Sequence, residues 1–225
     1  MPIQWVLFIG IAILSYAVQA NLERKFAKYS KIGTANGMTG ADVARQMLRD
    51  NGLYDVRITC VEGKLTDHYN PVDNTVNLSK GVYYGNDIAS AAVAAHECGH
   101  AVQHAAGYVP VKLRSSLVPV VQFSSRWVTW VLLAGIFALD FIPQILLLGI
   151  CLFAMTTLFS FVTLPVETDA SQRAMGWIVN SGVSDRSTAV YARDALRAAA
   201  YTYVVAALSS LGTLIYYINI FNNRR

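Results

Sequence analysis

Apolar and polar positions are segregated along this chain. Three long blocks almost without charge alternate with two blocks patterned like a soluble domain. Pro2 to Leu22 carries no charge and sets Trp5, Phe8 and Leu14 among Ile, Val and Ala. About 20 apolar residues in a helix cross a ~30 Å hydrocarbon layer, so residues 2–22 predict one membrane span. Val18-Gln19-Ala20 has the form of a signal-cleavage site, but no positively charged segment precedes it, and the expectation is a retained helix. Residues 122–164 are apolar apart from Arg126 and an interruption at Asp140-Phe141-Ile142-Pro143. They predict a helical hairpin whose turn keeps Asp140 and Pro143 at a membrane surface. Residues 198–223 are again uncharged, with tyrosines near both ends, and predict a fourth span with interfacial aromatics.

The polar block after the first span reads as small mixed structure. Thr39, with Asp42 three residues on, marks a helix start, and Ala41 to Asp50 keeps helical period until Asn51-Gly52 ends it. Val56 to Val61 alternates as a strand, Glu62-Gly63-Lys64 turns, Leu65 to Tyr69 is extended, and Asn70 to Asn74 turns before Thr75 to Leu78. These pieces predict a small antiparallel sheet. Thr75 to Leu78 is expected as an edge strand, by default structural, that could also pair with a substrate backbone. Ile88 to Ala106 is an alanine-rich helix.

Composition changes the picture in one respect. The chain of 225 residues is 54% hydrophobic and only 14% charged, against roughly 25% charged for an ordinary soluble domain. A plain soluble globule, a disordered chain and a disulfide scaffold are excluded. Cations beside the spans then orient the molecule, because cytoplasmic flanks carry the excess of lysine and arginine. Arg24, Lys25, Lys28, Lys31, Lys112, Arg114, Arg126, Arg173, Arg186, Arg193 and Arg197 flank one face, and only Arg224 and Arg225 the other. The polar blocks are therefore expected in the cytoplasm of an integral, multi-pass inner-membrane protein, with both termini outside. Basic flanks also favour anionic headgroups of the lipid bilayer, and no basic patch with interleaved aromatics calls for nucleic acid. Cys60, Cys98 and Cys151 have no ligand spacing and fit a reducing compartment.

The candidate chemistry sits in the alanine-rich helix, at His96-Glu97-Cys98-Gly99-His100. Two histidines four apart share one helical face, so both imidazoles reach one metal ion from successive turns. Glu97, beside the first, is placed to take a proton from a water at that metal. Cys98 lies about 200° around the helix from His96 and reads as packing. Zinc in a hydrolase takes three protein ligands and keeps one position open. A histidine six residues beyond His100 is absent, since that position is Ala106, so a distant acid is required. Glu167 and Asp169 follow directly on a span and lie on the correct face. Glu167 is the expected ligand and Asp169 the group that orients a histidine. The structural alternative is an interfacial carboxylate paired with Arg173.

The setting Ala94-Ala95-His96-Glu97-Cys98-Gly99-His100-Ala101-Val102-Gln103-His104, preceded by His68-Tyr69-Asn70-Pro71 and Leu78-Ser79, resembles the YugP-like membrane zinc metallopeptidases. Pro165 to Ser171 resembles that family's segment after the hairpin, and the resemblance covers nearly the whole chain. It implies a membrane-embedded zinc peptidase with a small α+β zincin-like domain, His96, His100 and Glu167 as ligands, and Glu97 as general base. More distantly the chain is similar to the HtpX-type proteases, whose pattern is Glu-x-x-Ala-Asp. Here Ser171 stands in place of the final aspartate.

Together these readings predict a mainly α membrane protein. Its parts are a span over 2–22, a cytoplasmic α+β domain over 23–121, a membrane hairpin over 122–164, a cytoplasmic helical segment over 165–197 with the third ligand, and a span over 198–223. The expected activity is zinc-dependent endopeptidase hydrolysis of a peptide or membrane-protein substrate. His104, Tyr69, Tyr83 and Arg173 are candidates for a donor to the oxyanion. A non-proteolytic zinc-binding scaffold is the alternative function. A transporter is disfavoured because Arg126 and Asp140 are the only charges in the spans.

Overall fold

The computed structural model describes residues 3–185 and 187–223. Pro2, Arg186, Arg224 and Arg225, which enter the span and orientation arguments, lie outside the described residues. The chain is mainly helical: α1 (Ile3–Tyr29), α2 (Gly40–Asp50), β1 (Arg57–Val61), β2 (His68–Asn70), β3 (Thr75–Ser79), α3 (Lys80–Tyr84), α4 (Ile88–Ala105), α5 (Val109–Phe137), α6 (Pro143–Asn180) and α7 (Ala189–Asn222). It divides into two compact units. One comprises residues up to Ala17 with Lys112–Pro165 and the chain from Thr202 on, the other Val18–Val111 with Val166–Tyr201.

In the first unit the apolar side chains face outward as much as inward. Phe137 and Phe141 are 85% and 86% exposed, and Trp127, Trp130, Leu148 and Leu208 are exposed as well. An aqueous domain would bury these residues; a helix in hydrocarbon does not need to. Three helices, α5, α6 and α7, are long and apolar enough to cross a membrane. The expected fourth span falls on α1. Between α5 and α6 the turn occupies residues 138–142, where Asp140 and Pro143 predict it. Close packing of this hairpin rests on glycine: a Cβ on Gly135 would lie 2.5 Å from Leu146 Cα, and one on Gly149 2.8 Å from a Leu132 methyl. Val128, Leu132, Leu146 and Ile150 form the seam, and Leu214, Tyr217 and Phe221 of α7 cover it. The hydroxyls of Thr157 and Ser210, 2.7 Å apart, tie α6 to α7.

In the second unit, local sequence signals and local structure agree. Thr39 caps α2 by accepting from the Asp42 N–H, and the Asp42 carboxylate accepts from the Thr39 N–H in return, a reciprocal capping box. Asp87 caps α4 by accepting from the Ser90 N–H at 2.9 Å. The sheet departs from expectation. It is mixed, in the order β1-β3-β2, with β3 antiparallel to β2 and parallel to β1. β3 is therefore the central strand, not an edge, and has no free side for a substrate. Burial explains the order. Val76 and Leu78 of β3 are fully buried, while β1 and β2 keep half-exposed positions, so the strand with neighbours on both sides is the one whose apolar side chains are buried completely. The 62–74 connection, with β2 inside it, is long enough for the parallel crossover.

β3 and α2 enclose α4. Val43, Ala44, Met47, Val76, Leu78, Ala91, Ala94, Ala95 and Cys98 share one core. Cys98 is fully buried there, its thiol donating to the Ala44 carbonyl at 3.6 Å. Burial pushes that thiol well above its ordinary pKa, which suits packing and not ligation. Cys60, Cys98 and Cys151 are all free thiols. At the other side of the unit, Asp194 of α7 accepts from Lys25 at 2.7 Å and from the buried Tyr29 hydroxyl at 2.5 Å, which fastens α1 to α7.

Candidate metal centre

α4 carries His96 and His100 one turn apart, their ring centroids 4.7 Å from each other. α6 brings Glu167 to the same point. Its Oε2 lies 3.2 Å from His96 Nε2 and 3.6 Å from His100 Nε2. Ligand atoms held at 2.0–2.2 Å around a tetrahedral ion sit about 3.4 Å apart, close to these two separations, and all three candidate ligand atoms lie within 4.8 Å of one another. Among the described residues these three form the one cluster of histidine, cysteine and acid groups able to hold a metal ion. The charge-free part of α6 ends at Val166, and Glu167 follows it directly.

Gly99 explains how two helices come that close. A Cβ at Gly99 would lie 2.6 Å from the Ala170 carbonyl oxygen. Gly99 is three residues after His96, and Ala170 three after Glu167, so the backbone contact sits within one turn of the side chains it brings together. Gly99→Ala should separate α4 from α6 by several tenths of an ångström and cost about 1–3 kcal/mol. The expected readouts are a lower unfolding midpoint and weaker zinc retention. Wild-type values of both would remove this role.

Each histidine is held from behind. Ser171 Oγ is 3.1 Å from His96 Nδ1, and Gln103 Oε1 is 3.1 Å from His100 Nδ1. The orientation of the Gln103 amide follows from its other partners. Its Nε2 donates to the Val166 carbonyl at 2.7 Å and to Asp169 Oδ2 at 2.8 Å. A carbonyl can only accept, so the amide oxygen must face His100 and Nδ1 must donate to it. In the neutral ring Nε2 then carries the lone pair, turned to the centre, whereas the protonated ring donates from both nitrogens. Asp169 thus reaches a histidine through Gln103, not directly, and Arg173 Nε holds the same carboxylate at 2.6 Å. Arg173 pairs with Asp169, whereas Glu167 pairs with the histidines.

Glu97 is buried, and its Oε2 accepts from the Tyr69 backbone N–H at 3.0 Å. β2 thereby anchors the candidate base. The Tyr69 hydroxyl is turned elsewhere, donating to Asn74 at 2.9 Å. His104 packs edge-on against the Tyr69 ring at 6.0 Å. Tyr83 packs against the α2–α4 core. Arg173 lies over the Tyr108 ring. Among the described residues, no hydrogen bond or ion pair joins any of these four side chains to Glu97, His96, His100 or Glu167.

Electrostatics favour an ionised carboxylate. Burial would raise the Glu167 pKa, but hydrogen bonds from His100 and His96, with their charge, outweigh it and hold the carboxyl well below its usual range. For His100, burial favours the neutral ring, yet the Glu167 hydrogen bond and the charges of Glu97 and Glu167 outweigh burial and raise its pKa.

Gln103, Ser171, Gly99 and the Tyr69 N–H were not singled out by sequence reasoning. Gln103 had a signal: a polar residue three positions after His100, on the apolar face of α4. Ser171 had another, standing one turn after Glu167 where the HtpX-type pattern has aspartate.

Comparison with known proteins agrees with this site. The family model described as "putative neutral zinc metallopeptidase" matches residues 4–222. A protein of Bacillus subtilis (strain 168) named "Putative membrane protease YugP" is 43% identical over 226 residues, covering 98% of this chain and 99% of that protein. No solved structure matches the chain. With a family model over almost its whole length and a relative this similar from end to end, the chain belongs to the YugP-like family, the one described as "putative neutral zinc metallopeptidase".

Proposed function

We propose that this protein is a multi-pass membrane endopeptidase in which His96, His100 and Glu167 hold zinc and Glu97 is the general base. The observation that carries the reading is the convergence of two Nε2 atoms and one carboxylate oxygen, 3.2 and 3.6 Å apart, beside a buried glutamate. Zinc bound there supplies Lewis acidity, polarising a carbonyl and lowering the pKa of water toward neutrality. The chain's own residues do the rest. Glu97 Oε1, free of the Tyr69 bond that holds Oε2, takes the proton of the attacking water and delivers it to the leaving nitrogen. Gln103 and Ser171 keep the two imidazoles turned inward. Burial of Glu97 and Glu167 limits water and strengthens these interactions.

Metal removal tests the reading. Chelation should abolish hydrolysis of an unstructured protein substrate by the purified full-length protein, and zinc at one equivalent should restore it. Full activity in zinc-free protein would overturn it.

We further place the site on the cytoplasmic side of the inner membrane, with α1 as a fourth span. The support is the distribution of cations beside the charge-free blocks. In a background with Cys60 and Cys151 replaced by serine, an impermeant thiol reagent applied outside should miss a cysteine at Lys64 and label one at Asp140. The reverse pattern would place the site outside.

A further inference from the structure

On the flank of the second unit, α6 and α7 enclose a groove of about 550 Å³ that the peptidase reading does not use. Its size is that of a small-ligand site, and such sites are mostly apolar with a few charged groups. Met175 and Val179 give it apolar walls, and Arg193 and Arg197, four residues apart on α7, stand exposed along it. Among the described residues neither arginine makes a salt bridge. The nearest acid in sequence, Asp194, is taken by Lys25 and Tyr29. The groove therefore offers two positive charges beside an apolar slot.

Gly176 gives a second, independent indication. Glycine is the least favourable residue in a helix interior after proline. At Gly99 or Gly135 a neighbouring backbone explains it, but a Cβ at Gly176 would meet nothing within 4 Å. No contact within the protein requires glycine there. A bare backbone on this wall keeps the groove open for something outside the chain.

The position along the sequence identifies the occupant. Arg197 is the last charge before the apolar run that begins at residue 198, and the α6 wall follows the charge-free run that ends at Val166. Those are headgroup positions for helices that cross a membrane, and the cytoplasmic leaflet is anionic. We propose that this groove binds one anionic phospholipid, with its phosphate on Arg193 and Arg197, its headgroup seated beside Met175, Gly176 and Val179, and its acyl chains leaving toward the apolar runs past Thr168 and Ala200. Ser171, which holds His96, also lines the groove, so the lipid lies directly behind a residue of the metal centre. The inference rests on the membrane placement of α6 and α7 and not on peptidase activity.

The test uses full-length protein in nanodiscs containing phosphatidylglycerol or phosphatidylcholine, released into detergent and examined by native mass spectrometry. Wild-type protein should retain one phosphatidylglycerol and no phosphatidylcholine. Arg193→Gln with Arg197→Gln should weaken retention roughly tenfold or more. Gly176→Leu keeps every cation but fills the groove and should have the same effect, while the unfolding midpoint and zinc content stay at wild-type values. Equal retention of the two lipids overturns the proposal, as does wild-type retention in Gly176→Leu. Displacement of all retained lipid by a short peptide with a free carboxylate would assign the groove to peptide instead and also overturn it. Each readout is independent of hydrolysis, so an inactive enzyme leaves the test intact.

Discussion

Glu97→Gln should leave zinc bound at wild-type stoichiometry and reduce peptide hydrolysis by roughly 10²–10⁴-fold or more. Glutamine has the shape of glutamate, and its amide oxygen still accepts from the Tyr69 N–H, so β2 stays docked on α4. The atoms proposed as ligands belong to His96, His100 and Glu167 and are untouched. An amide cannot take up the proton of the attacking water, and this single capacity is what the substitution removes. Zinc analysis and kcat/KM measured on the same preparation separate the two effects. Unchanged kcat/KM would end the general-base assignment, whereas loss of zinc would mean that Glu97 helps to hold the metal.

The second large effect is on metal retention. Glu167→Ala should reduce bound zinc to substoichiometric levels, since two imidazoles alone leave an open and more weakly held ion. The centre also loses the negative charge that offsets that of the metal. Gln103→Leu provides a graded comparison. It removes the acceptor for His100 Nδ1 and the donor to Val166 and Asp169, while Arg173 still satisfies Asp169. Zinc affinity should fall roughly 10–100-fold, the usual cost of losing a group that orients a ligand. Competition with a chromogenic chelator measures both. Zinc retained at full occupancy in Glu167→Ala would move the third ligand elsewhere, and equal losses in the two variants would make Gln103 a ligand-strength contributor.

Residues that act over one or two helical turns were legible in the chain. The Thr39 and Asp42 capping box, the extent of α4, the pairing of His96 with His100 and the turn around Asp140 each depend on neighbours within a few positions, so periodicity and capping chemistry disclose them. Strand order was not legible. β1, β2 and β3 are each short, and which one becomes central depends on how Val76 and Leu78 meet α2 and α4, a long-range matter. Gln103 shows the same limit inside one motif. Its spacing from His100 is visible, but its function depends on Val166 and Asp169, 63 and 66 residues away.

The sequence by itself determined the charge-free blocks, the helix that presents two imidazoles on one face, and the short choice of acids able to join them. Only the tertiary structure decided that Glu167 meets those imidazoles across 71 residues of chain, that Asp169 works through Gln103, and that Ser171 stands behind His96. The physical reason lies in the contact between Gly99 and Ala170. A helix fixes its own side chains by its 3.6-residue turn, but the distance between two helices is set by what their backbones allow where they touch.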